Sequence, residues 1–220
     1  LIHGQYFKNK KLNEHFSYLT ANIFTGLSRS WWLDKHNVGH HSFTNSNIHD
    51  TDIRDYDEIF TGNWGKSPFF HKHKVILFWV ATAVLYFNLI FRSYEYLLKE
   101  KKYGELSLNL VSLFLLPAAL VYHFGWLSIA MIIGIYVLVW VHLAFAFMVN
   151  HIGMPIIDGN TIREYAWLDL QTRTSRNISW GAIINHVFGW LNKQIEHHLF
   201  PQIARNKIER TSKEVRDFCK

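Results

Sequence analysis

Three apolar segments in the middle of the chain limit what it can fold into. They run from Val75 to Phe91, from Leu106 to Tyr122 and from Trp126 to Val149. A helix needs about 20 apolar residues to cross a bilayer. The third segment meets that length with His142 as its one ionisable group, and the second is nearly as long. Since a membrane-spanning segment must satisfy its own backbone hydrogen bonds, the pattern predicts an all-α integral membrane protein.

The composition agrees with a membrane protein. Aromatic residues make up 16% of the chain and charged residues 18%, below the ~25% charged residues of soluble domains. The net charge of +6 suits a surface that faces membrane lipid or an acidic protein partner. The basic residues are scattered and no nucleic-acid-binding motif is present, so nucleic acid is not a predicted partner. A lone cysteine, Cys219, excludes an internal disulfide and a zinc site built from cysteines.

The 14 histidines of the chain are concentrated in two motifs. In His36-Asn37-Val38-Gly39-His40-His41, the α-helical period places His36 and His40 on one face, where they would grip one ion. His41 lies about 100° further round and reaches a second ion. Gln194-Ile195-Glu196-His197-His198 repeats this spacing. Neutral imidazole suits Fe, Zn, Cu or Ni, so the two motifs predict a metal centre without choosing its metal.

The position of the two motifs in the sequence predicts the topology. If both serve one centre, they lie on the same side of the membrane, with an even number of crossings between them. Residues 106–122 and 126–149 are then transmembrane helices that form a hairpin, and residues 75–91 form an interfacial helix. Basic residues around 99–102 and 205–216 make the side that carries the motifs cytoplasmic. We predict one domain over residues 1–220, with a cytoplasmic, histidine-rich, di-metal helical cap.

Other polar and aromatic residues are weaker candidates. Polar residues at membrane depth are functional candidates, which adds Asn150 and His151 at the end of the third segment, and His186 on a helix predicted from Trp180 to Leu191. For each of these a structural hydrogen bond is the alternative. Aromatic residues that could line a substrate tunnel, or simply anchor the chain at the interface, are Trp31, Trp32, Trp180, Phe188 and Trp190.

The two motifs resemble a known family. HNVGHH at 36–41 and QIEHHLFP at 194–201 resemble the second and third histidine boxes of the membrane fatty-acid desaturases, which carry a non-haem di-iron centre. Glutamine at position 194 is typical of the front-end subgroup, delta-5/delta-6-like and linoleoyl-CoA desaturase-like enzymes. Residues 1–7 resemble the second half of the first box, so the chain is expected to start inside that box, with His3 as a ligand. Four further stretches resemble the family: 26–35, 146–155, 172–178 and 185–193.

The resemblance implies an oxidoreductase that inserts a cis double bond into a fatty acyl chain, linked to CoA or lipid, with O2 and two electrons. It implies two Fe ions. The implied ligands are His3, His36, His40, His41, His197 and His198, with Gln194 as a weak ligand or an outer donor. Cytochrome b5 or a ferredoxin would supply electrons. A basic face that includes Arg173, Arg176 and Lys193 could meet this donor, although a solvated face or lipid contact is the more common role of such residues. The protein would be multi-pass, in the endoplasmic reticulum if eukaryotic or the inner membrane if bacterial.

Several alternatives stay open. A fatty-acid or sphingolipid hydroxylase has the same boxes, and the chain is also consistent with an inactive fragment of a desaturase. Storage or transport of Zn or Ni is disfavoured because the third segment carries one ionisable residue. Asp50-Thr51-Asp52 stands where relatives often have Asp-Pro-Asp, and we predict only a turn there.

Overall fold

The computed structural model describes residues 2–53, 67–179 and 181–219. Most of these residues are helical, and extended pairing among them is limited to two isolated bridges, Ser46 with Ile157 and Asn177 with Lys193. The all-α prediction is therefore confirmed. The helical elements, in chain order, are Lys10–Tyr18, Leu19–Phe24, Arg29–Trp32, Leu33–His40, Pro68–Lys99, Tyr103–Leu110, Val111–Leu115, Leu116–Phe124, Leu127–Met148, Ile162–Glu164, Trp167–Thr174, Ala182–Val187, Gln194–Leu199, Arg205–Lys207 and Ile208–Phe218.

The chain divides into two compact units. The first unit comprises Leu1–Asp34 and Val75–His142, and the second comprises Lys35–Lys74 and Leu143–Lys220. The first unit contains most of the apolar sequence. The second contains both histidine motifs, so the candidate site can be described within one unit.

Three helices are long and apolar enough to cross a membrane: Pro68–Lys99, Tyr103–Phe124 and Leu127–Met148. The last two match the predicted hairpin. The chain turns between them at Gly125, whose φ is +75°. Glycine adopts this left-handed conformation without a steric penalty, which allows one helix to end at Phe124 and the next to begin at Leu127.

The predicted interfacial segment, Val75–Phe91, is part of a much longer helix. That helix has 32 residues, or about 48 Å at 1.5 Å per residue. It extends through the basic residues 71–74 and through 92–99 because no proline or glycine interrupts either flank. By length and composition, three helices rather than two are therefore candidates to cross the membrane.

The long helix packs on one face within the first unit. Its buried residues recur at intervals of three or four, which places them on a single stripe: Thr82, Tyr86, Leu89, Ser93 and Leu97. The Tyr86 ring stacks on Trp140 at 5.4 Å, and its hydroxyl donates to the Thr25 carbonyl at 2.7 Å. Phe87 and Phe91 are exposed on the other side. An apolar face of this kind suits contact with lipid.

Gly26 supports a test of this packing. It has φ of +66°, and a Cβ there would lie 3.3 Å from both Ile90 Cδ1 and Ser112 Oγ. We expect Gly26→Ala to cost about 1–2 kcal/mol, because an L-residue is disfavoured in the left-handed region. The measurement is the denaturation midpoint of the detergent-purified protein. Gly134→Ala is the control, since that helical glycine has open space around it, and an equal loss there would contradict the prediction.

Candidate metal centre

The first histidine motif is wound as a π-helix from Leu33 to His40. Hydrogen bonds in a π-helix join residues five apart, so His36 is turned toward His41. Their Nε2 atoms lie 3.3 Å apart. The sequence predicted that His36 and His40 would hold one ion, because it assumed α-helical winding. The observed winding pairs His36 with His41, although the His36 and His40 rings still stack with 5.3 Å between their centroids.

The second motif lies on a short α-helix, Gln194–Leu199. His197 and His198 are adjacent on this helix, and their ring planes are at 90° to one another. Both side chains are buried, as are Gln194 and Glu196. Because the rings of adjacent residues diverge, one short helix presents a histidine to each of two positions.

Within the second unit, the histidines form two groups of three. One contains His36, His41 and His197; the other contains His40, His151 and His198. In each group the candidate ligand nitrogens lie within 4.8 Å of one another. Each adjacent pair of the two motifs contributes one histidine to each group. The structure therefore places the two histidines of each adjacent pair in different groups, and the binding of a metal ion by each group stays a prediction. The ligand atoms of His36, His40 and Asp52 also lie within 4.8 Å of one another.

An oxygen acceptor lies behind each histidine of the second group. His40 Nδ1–H donates to Asp50 Oδ2 at 2.8 Å, His151 Nδ1–H to the Thr174 carbonyl at 3.1 Å, and His198 Nδ1–H to Gln171 Oε1 at 2.8 Å. Since Nδ1 carries the proton in each ring, Nε2 carries the lone pair. Such outer partners fix the tautomer and orientation of metal-binding histidines.

Gln194 faces the lone pairs of this group. Its amide nitrogen lies 3.1 Å from His151 Nε2 and 3.2 Å from His198 Nε2. Its amide oxygen is buried, and no hydrogen bond to it occurs within the described residues. The two ring nitrogens thus converge on one point, which the Gln194 amide nitrogen faces.

Burial and neighbouring charge set the protonation of the site. Burial, together with the charge of His40, lowers the pKa of His151 to about 3, and burial also holds the pKa of His198 well below its usual range. Both rings are therefore neutral near neutral pH, as metal binding requires.

The His40–Asp50 pair behaves differently. Burial opposes protonation of His40, but the charge and hydrogen bond of Asp50 outweigh it and raise the pKa of His40. Burial also acts to raise the pKa of Asp50, while His40 and the backbone N–H groups of Asn45 and Asp52 lower it to about 2. Asp50 is therefore ionised, and it polarises the imidazole that it orients.

Two weaker sequence candidates have different outcomes. His151 joins the second group, whereas His186 is exposed and lies outside both groups, with its Nδ1 2.8 Å from the Ala182 carbonyl of its own helix. Asn150 is buried, and its amide donates to the Ala146 carbonyl at 2.6 Å and to that of Leu191 at 3.0 Å. Asn150 thus ties the helix end to the segment before the second motif. His3 belongs to the first unit, and its role as a ligand remains a prediction.

The proposed tunnel residues lie in separate units. In the first unit, the Trp31 and Trp32 rings pack edge to face at 6.0 Å. In the second, Phe188 packs on Phe145 at 5.8 Å, and Trp190 lies 4.4 Å from the ring of His186. The helix expected from Trp180 to Leu191 is shorter, Ala182–Val187, because Gly189 and Trp190 have positive φ. Trp180 lies outside the described residues, and the tunnel remains a prediction.

Sequence reasoning missed the residues behind the histidines. Asp50 was predicted to form only a turn, yet it is fully buried and bonded to His40. Gln171 was not singled out, but its amide joins His198 Nδ1 to the backbone carbonyl of His41, to which it donates at 2.9 Å. The one available signal was an acidic residue close after a histidine motif.

Comparison with known proteins agrees with this geometry. The family model described as Fatty acid desaturase matches residues 1–220. The chain belongs to the fatty acid desaturase family. It is 30% identical to the Delta(6)-fatty-acid desaturase fat-3 of Caenorhabditis elegans over 247 residues, which cover 99% of this chain and 54% of that protein. It is 29% identical to the Acyl-lipid (9-3)-desaturase of Physcomitrium patens, covering 100% and 44% of the two chains.

A third relative belongs to the same series. The Delta(8)-fatty-acid desaturase of Euglena gracilis is 28% identical, with 100% of this chain and 56% of that protein covered. The chain thus spans about half the length of these relatives. Together with the Delta(5) fatty acid desaturase fat-4 of Caenorhabditis elegans, they are consistent with the predicted front-end subgroup. No solved structure matches this chain.

The residues of the site fit a metal centre of this family. Six buried or nearly buried imidazoles form two groups that share both adjacent pairs. Three of these rings are held as Nε2 acceptors by oxygen atoms behind them. Neutral imidazole suits iron as well as zinc, copper and nickel, so the donor set agrees with the metal that the family resemblance implied.

Asp50 provides a test of the outer contacts. We expect Asp50→Asn to weaken metal binding by about 10- to 100-fold above neutral pH, the usual effect of losing an outer partner of a metal-binding histidine. Metal affinity is measured by competition with a chelator. Asp169→Asn is the control, because Asp169 is only partly buried and pairs with Arg173 instead. An equal loss of affinity in both variants would contradict this role for Asp50.

The same pair sets a pH dependence. Metal requires neutral His40, whose pKa is raised by Asp50, so affinity should fall as pH drops through that raised pKa. Asp50→Asn removes the charge that favours the imidazolium. The fall in affinity should therefore move to lower pH in the variant, even though its affinity at high pH is weaker. Chelator competition across a pH series measures both, and a midpoint unmoved by Asp50→Asn would refute the assignment.

Proposed function

We propose that the parent protein is a fatty-acid desaturase that inserts a cis double bond, using O2 and two electrons at a centre of two Fe ions. The observation that carries this proposal is the pair of histidine groups, which divides each adjacent histidine pair between two positions. One ion bound by three histidines would not require that arrangement. The named relatives are desaturases of acyl lipids or fatty acids, which supports an acyl substrate linked to lipid or CoA.

The reaction removes two hydrogens from adjacent methylene carbons. O2 is reduced to two waters, and the balance requires two electrons and two protons from outside the substrate. No protein side chain oxidises an unactivated methylene, so the metal supplies this chemistry when bound. His36, His41 and His197 would hold one ion, and His40, His151 and His198 the other, with His3 as a further predicted ligand and Gln194 beside the second ion.

The chain's own residues prepare the centre for this reaction. Asp50, Gln171 and the Thr174 carbonyl hold three imidazoles in one tautomer, so little reorganisation is needed when metal binds. Thr44 reinforces the array, since its hydroxyl lies 2.9 Å from Gln171 Oε1. Burial of the histidines excludes bulk water, which protects a reactive oxidant from side reactions.

The geometry of the site constrains the topology. Both motifs contribute to the same groups, so an even number of complete crossings separates residues 41 and 194. With three candidate helices, one of them does not cross completely. We assign this role to the long helix that contains residues 75–91. The hairpin of residues 106–122 and 126–149 then leaves both motifs on the same side of the membrane, and the distribution of basic residues favours the cytoplasmic side.

Cytochrome b5 or a ferredoxin remains the proposed electron donor, and two of the three cations of the predicted basic face, Arg173 and Arg176, are exposed. Arg176 donates to the carbonyls of Val149 and Ile152 at 2.8 and 2.9 Å. Arg173 pairs with Asp169 at 2.6 Å, and Lys193 is buried. Burial removes Lys193 from that face, whereas Arg173 and Arg176 stay on it as proposed contacts for an acidic donor.

The test is a lipid profile. The parent protein, with its N-terminal part, is expressed in a host of known lipids beside His197→Ala, His198→Ala and His186→Ala variants. We expect a new double bond on the carboxyl side of an existing one. The names of the relatives give delta positions 5, 6 and 8, which lie toward the carboxyl end of a long acyl chain. Fatty-acid methyl esters are analysed by mass spectrometry with double-bond localisation.

The variants test whether the product depends on the histidines of the two groups or on any histidine of the chain. His197→Ala and His198→Ala should abolish the product, since each empties a position in one group. His186→Ala should retain it, because His186 is an exposed histidine outside both groups. A hydroxylated product would replace the desaturase assignment with a hydroxylase. Unchanged lipids despite bound iron and an added electron donor would contradict the proposal.

A further inference from the structure

The short helix Arg29–Trp32 begins with an unusual cap. The first N–H groups of a helix have no partner within the helix. Ser28 Oγ accepts from the Trp31 N–H at 3.0 Å, as an N-cap serine does. The Ser30 N–H donates instead to Glu105 Oε1 at 2.9 Å, and the Ser28 hydroxyl donates to the same oxygen at 2.8 Å. A carboxylate distant in sequence thus completes the cap.

Glu105 is held in place by donors rather than by a counter-ion. It is 8% exposed, and a third donor, Asn22 Nδ2, lies 3.0 Å from its Oε1. Within the part of the chain that the structure describes, no salt bridge reaches it. A buried carboxylate is costly unless it is hydrogen-bonded, and a helix N-terminus favours a negative charge. The three donors and the helix end therefore account for its burial.

The capped helix leads without a break into the first histidine motif. Leu33, which follows Trp32, has helical angles of φ −59° and ψ −46°. The π-helix Leu33–His40 starts there. π-Helical winding is rare and is found mostly as a single turn inside α-helices. The histidines of the first motif therefore lie on the direct continuation of the capped helix.

We propose that Glu105 is a positioning residue for the first histidine motif: its carboxylate caps the helix whose continuation carries His36, His40 and His41. All three donors use one oxygen, Oε1. This makes the role separable from charge, because a glutamine can present a carbonyl oxygen at the same place. The inference rests on the proposed function only for the identity of the metal.

The experiment uses the full-length, iron-loaded parent protein in detergent. Hydrogen–deuterium exchange by mass spectrometry follows residues 28–41 in wild type, Glu105→Ala, Glu105→Gln and, as control, Glu95→Ala, whose glutamate is exposed in the same unit. Loss of the cap in Glu105→Ala should speed exchange there by about 5- to 30-fold, which corresponds to 1–2 kcal/mol. Glu105→Gln should restore most of the protection, and Glu95→Ala should match wild type.

Iron release links the cap to the centre. Glu105→Ala should lose iron to a chelator faster than wild type. The rate of iron loss from Glu105→Gln should lie close to the wild-type rate. If Glu105→Ala does not fold, Ser28→Ala is measured in its place, with the same direction expected. Unchanged exchange at residues 28–41, an equal increase throughout the chain, no rescue by glutamine, or faster exchange without faster iron release would each overturn the proposal.

These outcomes are independent of the reaction. If the wild-type protein produces no double bond while the exchange and iron-release results are as expected, the desaturase proposal fails and the role of Glu105 stands. If double bonds form and Glu105→Ala is indistinguishable from wild type in exchange and iron release, the role of Glu105 fails alone.

Discussion

The candidate centre depends on the oxygen atoms that lie behind its histidines. A buried imidazole has two ring nitrogens, and only one of them can face a metal. A hydrogen bond to the other nitrogen must therefore select the tautomer and the orientation of the ring. Asp50 Oδ2, Gln171 Oε1 and the Thr174 carbonyl each take an Nδ1–H. Once these bonds form, Nε2 is the acceptor in each ring, and the site is arranged before any ligand binds.

Gln171 also joins segments that are far apart in the sequence. Its oxygen accepts from His198, and its nitrogen donates to the His41 carbonyl. One amide therefore ties the second motif to the first. Thr44 closes the same array, since its hydroxyl lies near both Gln171 Oε1 and His198 Nδ1, at 2.9 and 3.1 Å. Satisfied polar networks of this kind specify one arrangement of a buried site, whereas a partly satisfied network is destabilising.

The sequence predicted the helical class, which is confirmed, and it singled out two of the long apolar helices and the histidines that the structure brings together. Those predictions rest on composition and on spacing, which are local properties. It did not predict the role of Asp50 or Gln171, because their importance comes from neighbours that only the fold supplies. It also paired His36 with His40, since α- and π-helical winding cannot be distinguished from a six-residue pattern. The long helix was underestimated for a related reason: charged flanks end an apolar segment without ending a helix.

Gln194 can turn either a donor or an acceptor toward the ring nitrogens of the second histidine group. Its amide nitrogen faces the Nε2 atoms of His151 and His198, while its oxygen lies buried without a hydrogen bond in the described residues. The nitrogen satisfies both lone pairs when it is the nearest group. A cation at the same point repels an N–H and attracts an oxygen, so rotation of the amide by half a turn exchanges one for the other. A histidine at this position offers one lone pair in one direction, whereas glutamine presents either a donor or an acceptor from the same backbone.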